Sequence, residues 1–183
     1  SHLDGSTHLF TPEKSMQIQI DLGADIIMAF DECSPSNASK SYVEASMRRT
    51  HRWLARCIKT WKNKSPSALF GIIQGGKYKD LRQESAKLVV DQDLPGIAIG
   101  GESIGSDAVE TSETIAWVKD LLPKDKPLYT MGVGVKPSDA VAAIKAGADM
   151  FDCVAPTRLA RCGLLYNLEF PKERLDISKT IFK

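Results

Sequence analysis

Residues 128–154 read LYTMGVGVKPSDAVAAIKAGADMFDCV, and this stretch holds two short apolar runs on either side of a segment with helical spacing. The runs LYT and DMFDCV have the length and residue types of strands. The segment between them predicts a short helix from about Ser138 to Lys145, which leads through Gly147 into the second run. A strand, a helix and a second strand in this order are typical of a βαβ unit with parallel strands.

The same order of elements recurs along the rest of the chain. The runs DIIMAF, ALFGII and GIAIG predict three more strands, separated by segments of helical spacing. Thr11 can cap a first helix that has Pro12 at its first position, and Gly23 can close that helix. A longer helix is expected between Tyr42 and Trp61, and its basic residues predict a solvated face rather than an RNA surface.

Five predicted strands, each joined to the next by a helix, place the chain in the α/β class. A doubly wound sheet and a (β/α)8 barrel both have this order of elements, but polar residues follow nearly every predicted strand, which favours the TIM barrel. Because a closed barrel has eight strands, we expect residues 1–183 to be a partial TIM barrel with five of its strands. The opening SHLDGS, without an initiator Met, agrees with a fragment.

The composition sets only loose limits on function. With 43% hydrophobic and 26% charged residues the chain resembles an ordinary soluble globular protein, and its net charge of +1 means that nucleic acid would have to bind at a local patch. No apolar run approaches the roughly 18 residues of a membrane span. The cysteines lack C-x-x-C spacing, which disfavours a zinc knuckle or redox pair and favours reduced thiols in the cytoplasm. They are Cys33, Cys57, Cys153 and Cys162.

Chemically versatile residues stand directly after the predicted strands, where a barrel brings them to one mouth. A carboxylate accepts paired N–H donors, an amide both donates and accepts, and adjacent glycines let backbone N–H groups approach a flat ligand. These residues predict a pocket that recognises a base. Guanine suits it because its N1–H and N2–H2 groups can donate to Asp31, while its O6 can accept from Gln74 or from a backbone N–H. The alternative is that Asp31 caps a loop and Gln74 satisfies backbone groups. The set is Asp31, Glu32 and Cys33; Gln74, Gly75 and Gly76; Gly100, Gly101 and Glu102; Met131 to Gly134; and Asp152.

Asp152 is the residue that most needs an explanation. It ends a run that suits a strand covered on both faces, and burying an ionised carboxylate is unfavourable unless the charge is paired. It therefore requires Arg158 or another donor, or a strand end that stays wet. The residues that follow, Thr157, Arg158 and Arg161, indicate an anionic substrate, because a guanidinium can hold phosphate through two parallel hydrogen bonds.

The motifs MAFDEC, GIIQGG, AIGGESIG, YTMGVG and MFDCVAPTR together resemble the bacterial-type tRNA-guanine transglycosylases, the queuine tRNA-ribosyltransferase family, in the right order over essentially the whole chain. The resemblance implies a TIM-barrel pentosyltransferase that exchanges the wobble guanine of queuosine-type tRNAs for 7-aminomethyl-7-deazaguanine. It implies that Asp152 is the nucleophile, which attacks the ribose C1′ and holds the tRNA as a covalent ester. An aspartate is ionised at neutral pH and needs no base to activate it.

The resemblance also assigns the remaining roles. The segment GGESIGS departs from the family pattern, which usually has Leu at the position of Glu102 and Glu at that of Ser106. We expect Glu102 to meet the aminomethyl cation of the incoming base and Ile104 to crowd the bulkier base queuine. The alternative is that Glu102 points to solvent and forms an ion pair with a neighbour such as Lys77. The residues expected to bind the base are Asp31, Cys33, Gln74, Gly100, Gly101, Glu102 and Met131, and those expected to bind RNA are Thr157, Arg158, Arg161 and Lys136.

Further expectations concern partners and parts outside the chain. The resemblance implies the tRNA anticodon loop and a 7-deazaguanine base as partners, a homodimer of the full-length protein, and a structural zinc ion whose ligands lie downstream. It also implies that residues 1–183 belong to the catalytic domain and cover about the last five barrel strands, with an Asp that serves as general acid and base on the strands upstream. We therefore expect the 183-residue chain alone to be inactive. It should also be poorly folded, because an arc of five strands leaves two open edges and an exposed inner face.

Two alternatives stay open. One is a TIM-barrel enzyme that acts on a small purine nucleotide, for which the segment PTRLAR is surplus. The other is a non-catalytic, RNA-binding transglycosylase-like subunit, which should have lost its nucleophile, whereas Asp152 is present.

Overall fold

The computed structural model describes residues 1–62, 65–101, 108–170 and 173–179. The main helices are α1 (Pro12–Asp21), α2 (Lys40–Lys62), α3 (Lys79–Val90), α4 (Ala108–Val118), α5 (Pro137–Ala146) and α6 (Ala155–Arg161), and a 3-10 turn, Lys119–Leu121, follows α4. The strands are β1 (Ile26–Met28), β2 (Ala68–Ile73), β3 (Gly96–Ile99), β4 (Leu128–Thr130), β5 (Met150–Phe151), β6 (Leu164–Tyr166) and β7 (Arg174–Asp176). None of the described helices is long and apolar enough to cross a membrane.

Strands β1 to β5 form one parallel sheet in chain order. In register, Ile27 lies opposite Leu69, Ile97 opposite Leu128, and Tyr129 is the partner of Met150. A doubly wound sheet would reverse its strand order at a switch point, whereas a barrel adds each strand beside the previous one. The five strands and their helices form a curled half-barrel, which confirms the predicted partial TIM barrel.

The two faces of the sheet carry separate apolar clusters because successive strand residues point to opposite sides. On the helix side, strand residues such as Leu69 and Ile73 pack against Leu54 of α2 and Val89 of α3. On the inner side, a second cluster surrounds Phe70. Its other members are Ile72 and Ala98, with Met28, Ala68, Tyr129, Met131 and Met150 packed against them.

Gly71 sets the distance between β2 and α3. A Cβ added there would lie 2.8 Å from Val89 Cγ1 and 2.9 Å from Leu94 Cδ1, closer than real Cβ atoms approach. The absence of a side chain at this position therefore lets α3 pack directly on the strand.

The helix boundaries agree with the sequence signals. Thr11 Oγ1 accepts a hydrogen bond from Lys14 N at 3.2 Å, Pro12 is the first helical residue, and Gly23 follows the helix with φ +70°. These are the cap, first position and terminator predicted for α1.

The basic side chains of α2 lie on its exposed face. Arg48 forms an ion pair with Glu44 at 2.9 Å, and Arg56 forms one with Glu13 at 2.7 Å, all with exposed side chains. The buried face contains Met47 instead. This agrees with the prediction of a solvated face.

The end of the described sheet and the strands after it show two features that sequence reasoning did not predict. Phe151 is 38% and Val154 49% exposed, but only five barrel strands are described, so the expectation that Asp152 ends a strand covered on both faces stays a prediction for the closed barrel. Strand β5 is two residues long and pairs only with β4, so it is an edge of the described sheet. The antiparallel pair of β6 and β7 was not predicted at all.

His51 makes the stability of the folded chain depend on pH. Its Nε2 lies 2.9 Å from Ser85 Oγ between α2 and α3, and burial, followed by the charge of Arg48, lowers the pKa of His51 to about 4 from 6.5. Between these values the unfolded chain binds a proton that the folded chain does not. Stability from this group is therefore complete above about pH 6.5 and decreases as the pH falls toward 4.

We expect His51→Gln in the full-length protein to reduce the loss of unfolding free energy between pH 7 and pH 4.5, by up to about 3 kcal/mol. Urea denaturation midpoints at the two pH values measure the effect. The matched control is Thr60→Ala on the same helix, which removes a hydroxyl that donates to Arg56 O at 3.1 Å and no titratable group, and should leave the pH dependence unchanged. Equal pH dependence in the wild type and His51→Gln would contradict the assignment.

Candidate functional site

Asp31 and Gln74, both predicted to bind the base edge, are hydrogen-bonded to each other. Asp31 follows β1 and Gln74 follows β2, and Gln74 Nε2 donates to Asp31 Oδ2 at 2.6 Å. The Gln74 backbone N–H donates to Ser85 Oγ at 3.1 Å, so a residue of α3 fixes the position of Gln74. Parallel pairing places the two strand ends side by side.

The environment of this pair leaves hydrogen-bonding capacity unused. Burial raises the pKa of Asp31, while hydrogen bonds from the Gln74 side chain and its own backbone act in the opposite direction. Gln74 is 1% exposed, and its Oε1 has no hydrogen-bond partner within the described residues. A buried polar atom without a partner is rare in folded proteins. The Asp31 carboxylate and the Gln74 amide therefore keep hydrogen-bonding groups that a ligand could use without breaking a bond of the fold.

The glycines after β3 approach Gln74 closely. A Cβ at Gly100 would lie 2.8 Å from Gln74 Nε2, and one at Gly101 would overlap Gln74 Oε1 while its φ is +69°. Partial burial of the Cys33 thiol, followed by the charge of Asp31, raises the pKa of Cys33, and the Gly101 backbone N–H opposes the shift. These residues form a first cluster at the carboxyl ends of β1, β2 and β3.

Arg82 of α3 was not identified from the sequence, yet its side chain bonds to backbone carbonyls of this cluster. Its Nη1 donates to Ile73 O at 3.0 Å and to Gly100 O at 2.5 Å, and its Nε donates to Gly76 O at 2.8 Å. The signal available in the sequence was its position on the buried face of α3 with Ser85.

Asp152 lies in a second cluster at the ends of β4 and β5. Its Oδ1 accepts a hydrogen bond from Tyr129 Oη at 3.0 Å and one from Gly132 N at 3.2 Å. Asp152 itself is exposed. The expected donor Arg158 is not among these partners. The Asp152 carboxylate is instead stabilised by Tyr129, Gly132 and contact with solvent.

Tyr129 was also missed by sequence reasoning. Burial, then the hydrogen bond and charge of Asp152, raise the pKa of Tyr129 to about 12. Tyr129 pairs with Met150, two residues before Asp152, which puts the phenol and the carboxylate on the same face. That spacing was the signal in the sequence.

The other predicted site residues lie around these two clusters. Met131 packs on the inner apolar cluster around Phe70. Glu32 is bound by Arg49 and Tyr42 of α2. The predicted RNA-binding residues are exposed on or before the helices of this end, namely Thr157, Arg158 and Arg161 on α6 and Lys136 before α5. Glu102 and Ile104 lie outside the described residues.

A cavity of about 280 Å³ adjoins the first cluster. Gly76, Tyr78, Arg82, Gly101 and Trp117 are among its lining residues, whereas Asp31 and Gln74 are not. We therefore do not assign a base to it.

The described residues do not fit a metal site. Across residues 1–62, 65–101, 108–170 and 173–179, no group of three or more His, Cys, Asp or Glu side chains is placed to hold a metal ion. All four cysteines are free thiols. The zinc ion stays a prediction of the resemblance, with no ligand among these residues.

Comparison with known proteins identifies relatives along the whole chain. The sequence profile of the family described as Queuine tRNA-ribosyltransferase matches residues 1–183. The queuine tRNA-ribosyltransferase of Herpetosiphon aurantiacus is 52% identical over 177 residues, which are 97% of this chain and 44% of that protein. The one from Caldanaerobacter subterraneus subsp. tengcongensis is 54% identical over 166 residues, 91% of this chain and 44% of that protein. The chain thus spans less than half the length of these relatives.

We expect Asp31→Asn in the full-length protein to melt at the same temperature as the wild type or higher at pH 7. Burial disfavours the charged form of Asp31, and an Asn oxygen still accepts the Gln74 hydrogen bond. The control is Asp80→Asn, which breaks the exposed Lys40–Asp80 pair and should lower stability only slightly, because exposed ion pairs contribute little. A larger loss for Asp31→Asn than for the control, by calorimetry, would show that the carboxylate serves the fold.

Proposed function

The chain belongs to the queuine tRNA-ribosyltransferase family, and from this premise we propose that the full-length protein is a tRNA-guanine transglycosylase. It exchanges the wobble guanine of queuosine-type tRNAs for 7-aminomethyl-7-deazaguanine. The observation that supports this most is the placement, at one end of one parallel sheet, of a base-edge pair, Asp31 and Gln74, and of the aligned carboxylate Asp152.

The first cluster suits guanine better than adenine. Ionised Asp31 accepts the N1–H and N2–H2 donors of guanine, and the Gln74 amide has a second N–H besides the one given to Asp31, which can donate to O6. Adenine would turn its N1 acceptor toward the carboxylate. A site left with unpaired buried polar groups rejects the wrong ligand by about 10⁴ or more.

The second cluster suits nucleophilic attack. Both hydrogen bonds to Asp152 go to Oδ1, which leaves Oδ2 to attack C1′ of the ribose. The Oδ2–C1′ bond forms as the C1′–N9 bond breaks. The electron pair of the C1′–N9 bond leaves with guanine. The incoming base then forms a new C1′–N9 bond and displaces the carboxylate, while it gives up its N9 proton and the departed guanine anion takes up one. Two inversions at C1′ give retention.

The helix that follows the nucleophile suits an RNA substrate. Helix α6 begins three residues after Asp152 and exposes Thr157, Arg158 and Arg161. Arginine forks bind phosphate or base edges, so these side chains can hold the anticodon loop next to the reacting ribose. A small purine nucleotide would have no use for these groups.

The remaining parts of the proposal rest on the resemblance. The choice of 7-aminomethyl-7-deazaguanine over queuine involves Glu102 and Ile104. The homodimer, the structural zinc ion and the cytoplasmic location likewise concern the full-length protein.

The decisive experiment is Asp152→Asn in the full-length protein with an anticodon stem-loop as substrate. We expect no covalent adduct on denaturing gels and no exchange of labelled guanine. Binding of tRNA should stay within a few fold, because phosphate contacts dominate affinity.

The matched control is Asp149→Asn, at the other end of β5. Asp149 Oδ2 accepts the Leu128 N–H at 2.8 Å, a bond that Asn can still accept, so the adduct should persist. Guanine exchange by Asp152→Asn would overturn the proposed nucleophile.

Tyr129→Phe is expected to lower kcat for exchange about tenfold, because one hydrogen bond that aligns the Asp152 charge is lost. KM for the base should change little, since Tyr129 lies in the other cluster from Asp31. Tyr166→Phe, which removes a hydroxyl that donates to Val135 O at 3.1 Å, is the control. Wild-type kcat in Tyr129→Phe would show that the phenol does not orient the nucleophile.

A further inference from the structure

Arg82 is a buried cation directly behind the base-reading cluster. Its side chain is 1% exposed, and its guanidinium donates to the carbonyls of Ile73, Gly76 and Gly100. These carbonyls belong to the end of β2, the loop after it and the end of β3. One side chain therefore connects two neighbouring strand ends at the mouth.

The bond to Gly100 determines the direction of the next N–H group. A trans peptide is planar, so the carbonyl of Gly100 and the N–H of Gly101 point in opposite directions. With the carbonyl held by Arg82 at 2.5 Å, the N–H points away from the guanidinium. It lies near the Cys33 thiol, whose ionisation it favours, and hence on the side of the Asp31 loop.

Two glycines give this peptide little rigidity of its own. Gly101 has φ +69°, and glycine populates such conformations as readily as others. A peptide between two glycines can therefore rotate unless something holds it. The bond from Arg82 is such a restraint.

The charge of Arg82 also acts through the peptide. A cation at the carbonyl oxygen polarises the amide and makes its N–H a stronger donor, because hydrogen bonds in a chain reinforce one another. Guanine that leaves C1′ carries additional negative charge, part of it on O6. A strengthened donor facing O6 therefore stabilises the departing base more than the bound nucleotide.

We propose that Arg82 is a positioning residue that fixes and polarises the Gly101 N–H toward the 6-oxo group of the purine, and so sets the preference for 6-oxopurines. This inference rests on the proposed function and adds a determinant that contacts neither the base nor the tRNA. The same face of α3 also positions Gln74, whose backbone N–H donates to Ser85 Oγ. Helix α3 therefore positions both groups that would bind the base edge.

The test uses the full-length protein, with guanine and 6-thioguanine as competing bases in the exchange assay. 6-Thioguanine keeps the N1–H and N2–H2 donors but has a weak acceptor, sulfur, in place of O6. We expect the wild type to prefer guanine. In Arg82→Met the inhibition constant for guanine should rise about tenfold, with a much smaller change for 6-thioguanine, so that the preference decreases.

Arg82→Lys, which keeps the charge but not the fork, should give an intermediate preference, and it is scored alone if Arg82→Met fails to fold. The control is Gln83→Met on the same helix, which removes a bond to Trp117 O at 3.0 Å and should leave the preference unchanged. A purely structural role of Arg82 would weaken both bases equally.

The outcomes separate this inference from the proposed function. If the wild type binds no guanine and forms no adduct with an anticodon stem-loop, the proposed function fails. If the wild type does both and a folded Arg82 variant keeps the wild-type preference, only the role of Arg82 is overturned.

Discussion

Strands β1 to β5 pair in parallel in the order in which they occur in the chain, and the arrangement of the site depends on this pairing. Parallel pairing in chain order brings all five carboxyl ends to one edge and requires a helix on the way back to the other. Residues that stand directly after each strand therefore become neighbours, although 43 residues separate Asp31 from Gln74 in the chain.

Helix α3 links this edge to the core of the protein. Its apolar residues, such as Val89, pack on the sheet, while Arg82 and Ser85 bond backbone groups at the strand ends. The side chains that position the site are thus fixed by the same packing that stabilises the fold. Asp31 and Gln74 Oε1, which has no hydrogen-bond partner among the described residues, show the opposite balance, since their burial disfavours folding.

Elements with local sequence signals could be predicted from the sequence. Residue roles that depend on a partner distant in the chain could not. Five strands, the cap at Thr11 and the proximity of Asp31 to Gln74 follow from apolar runs, capping residues and strand ends. Burial of β5 on both faces stays a prediction, because β5 is an edge of the described sheet and its burial depends on the strand that would flank it in a closed barrel. Tyr129 and Arg82 were missed because each lies within an apolar pattern that explains it as core, and only their partners, Asp152 and Gly100, give them a role.

The close contact at Gly71 has an evolutionary consequence. Val89 and Leu94 occupy the space that a side chain at position 71 would need, so a larger residue there would displace α3 and with it the guanidinium that holds Gly100. In homologous proteins an alanine at this position should be accompanied by smaller residues at the positions of Val89 and Leu94. Positions 71, 89 and 94 would then change together in evolution, and their covariation would record selection on the distance between β2 and α3.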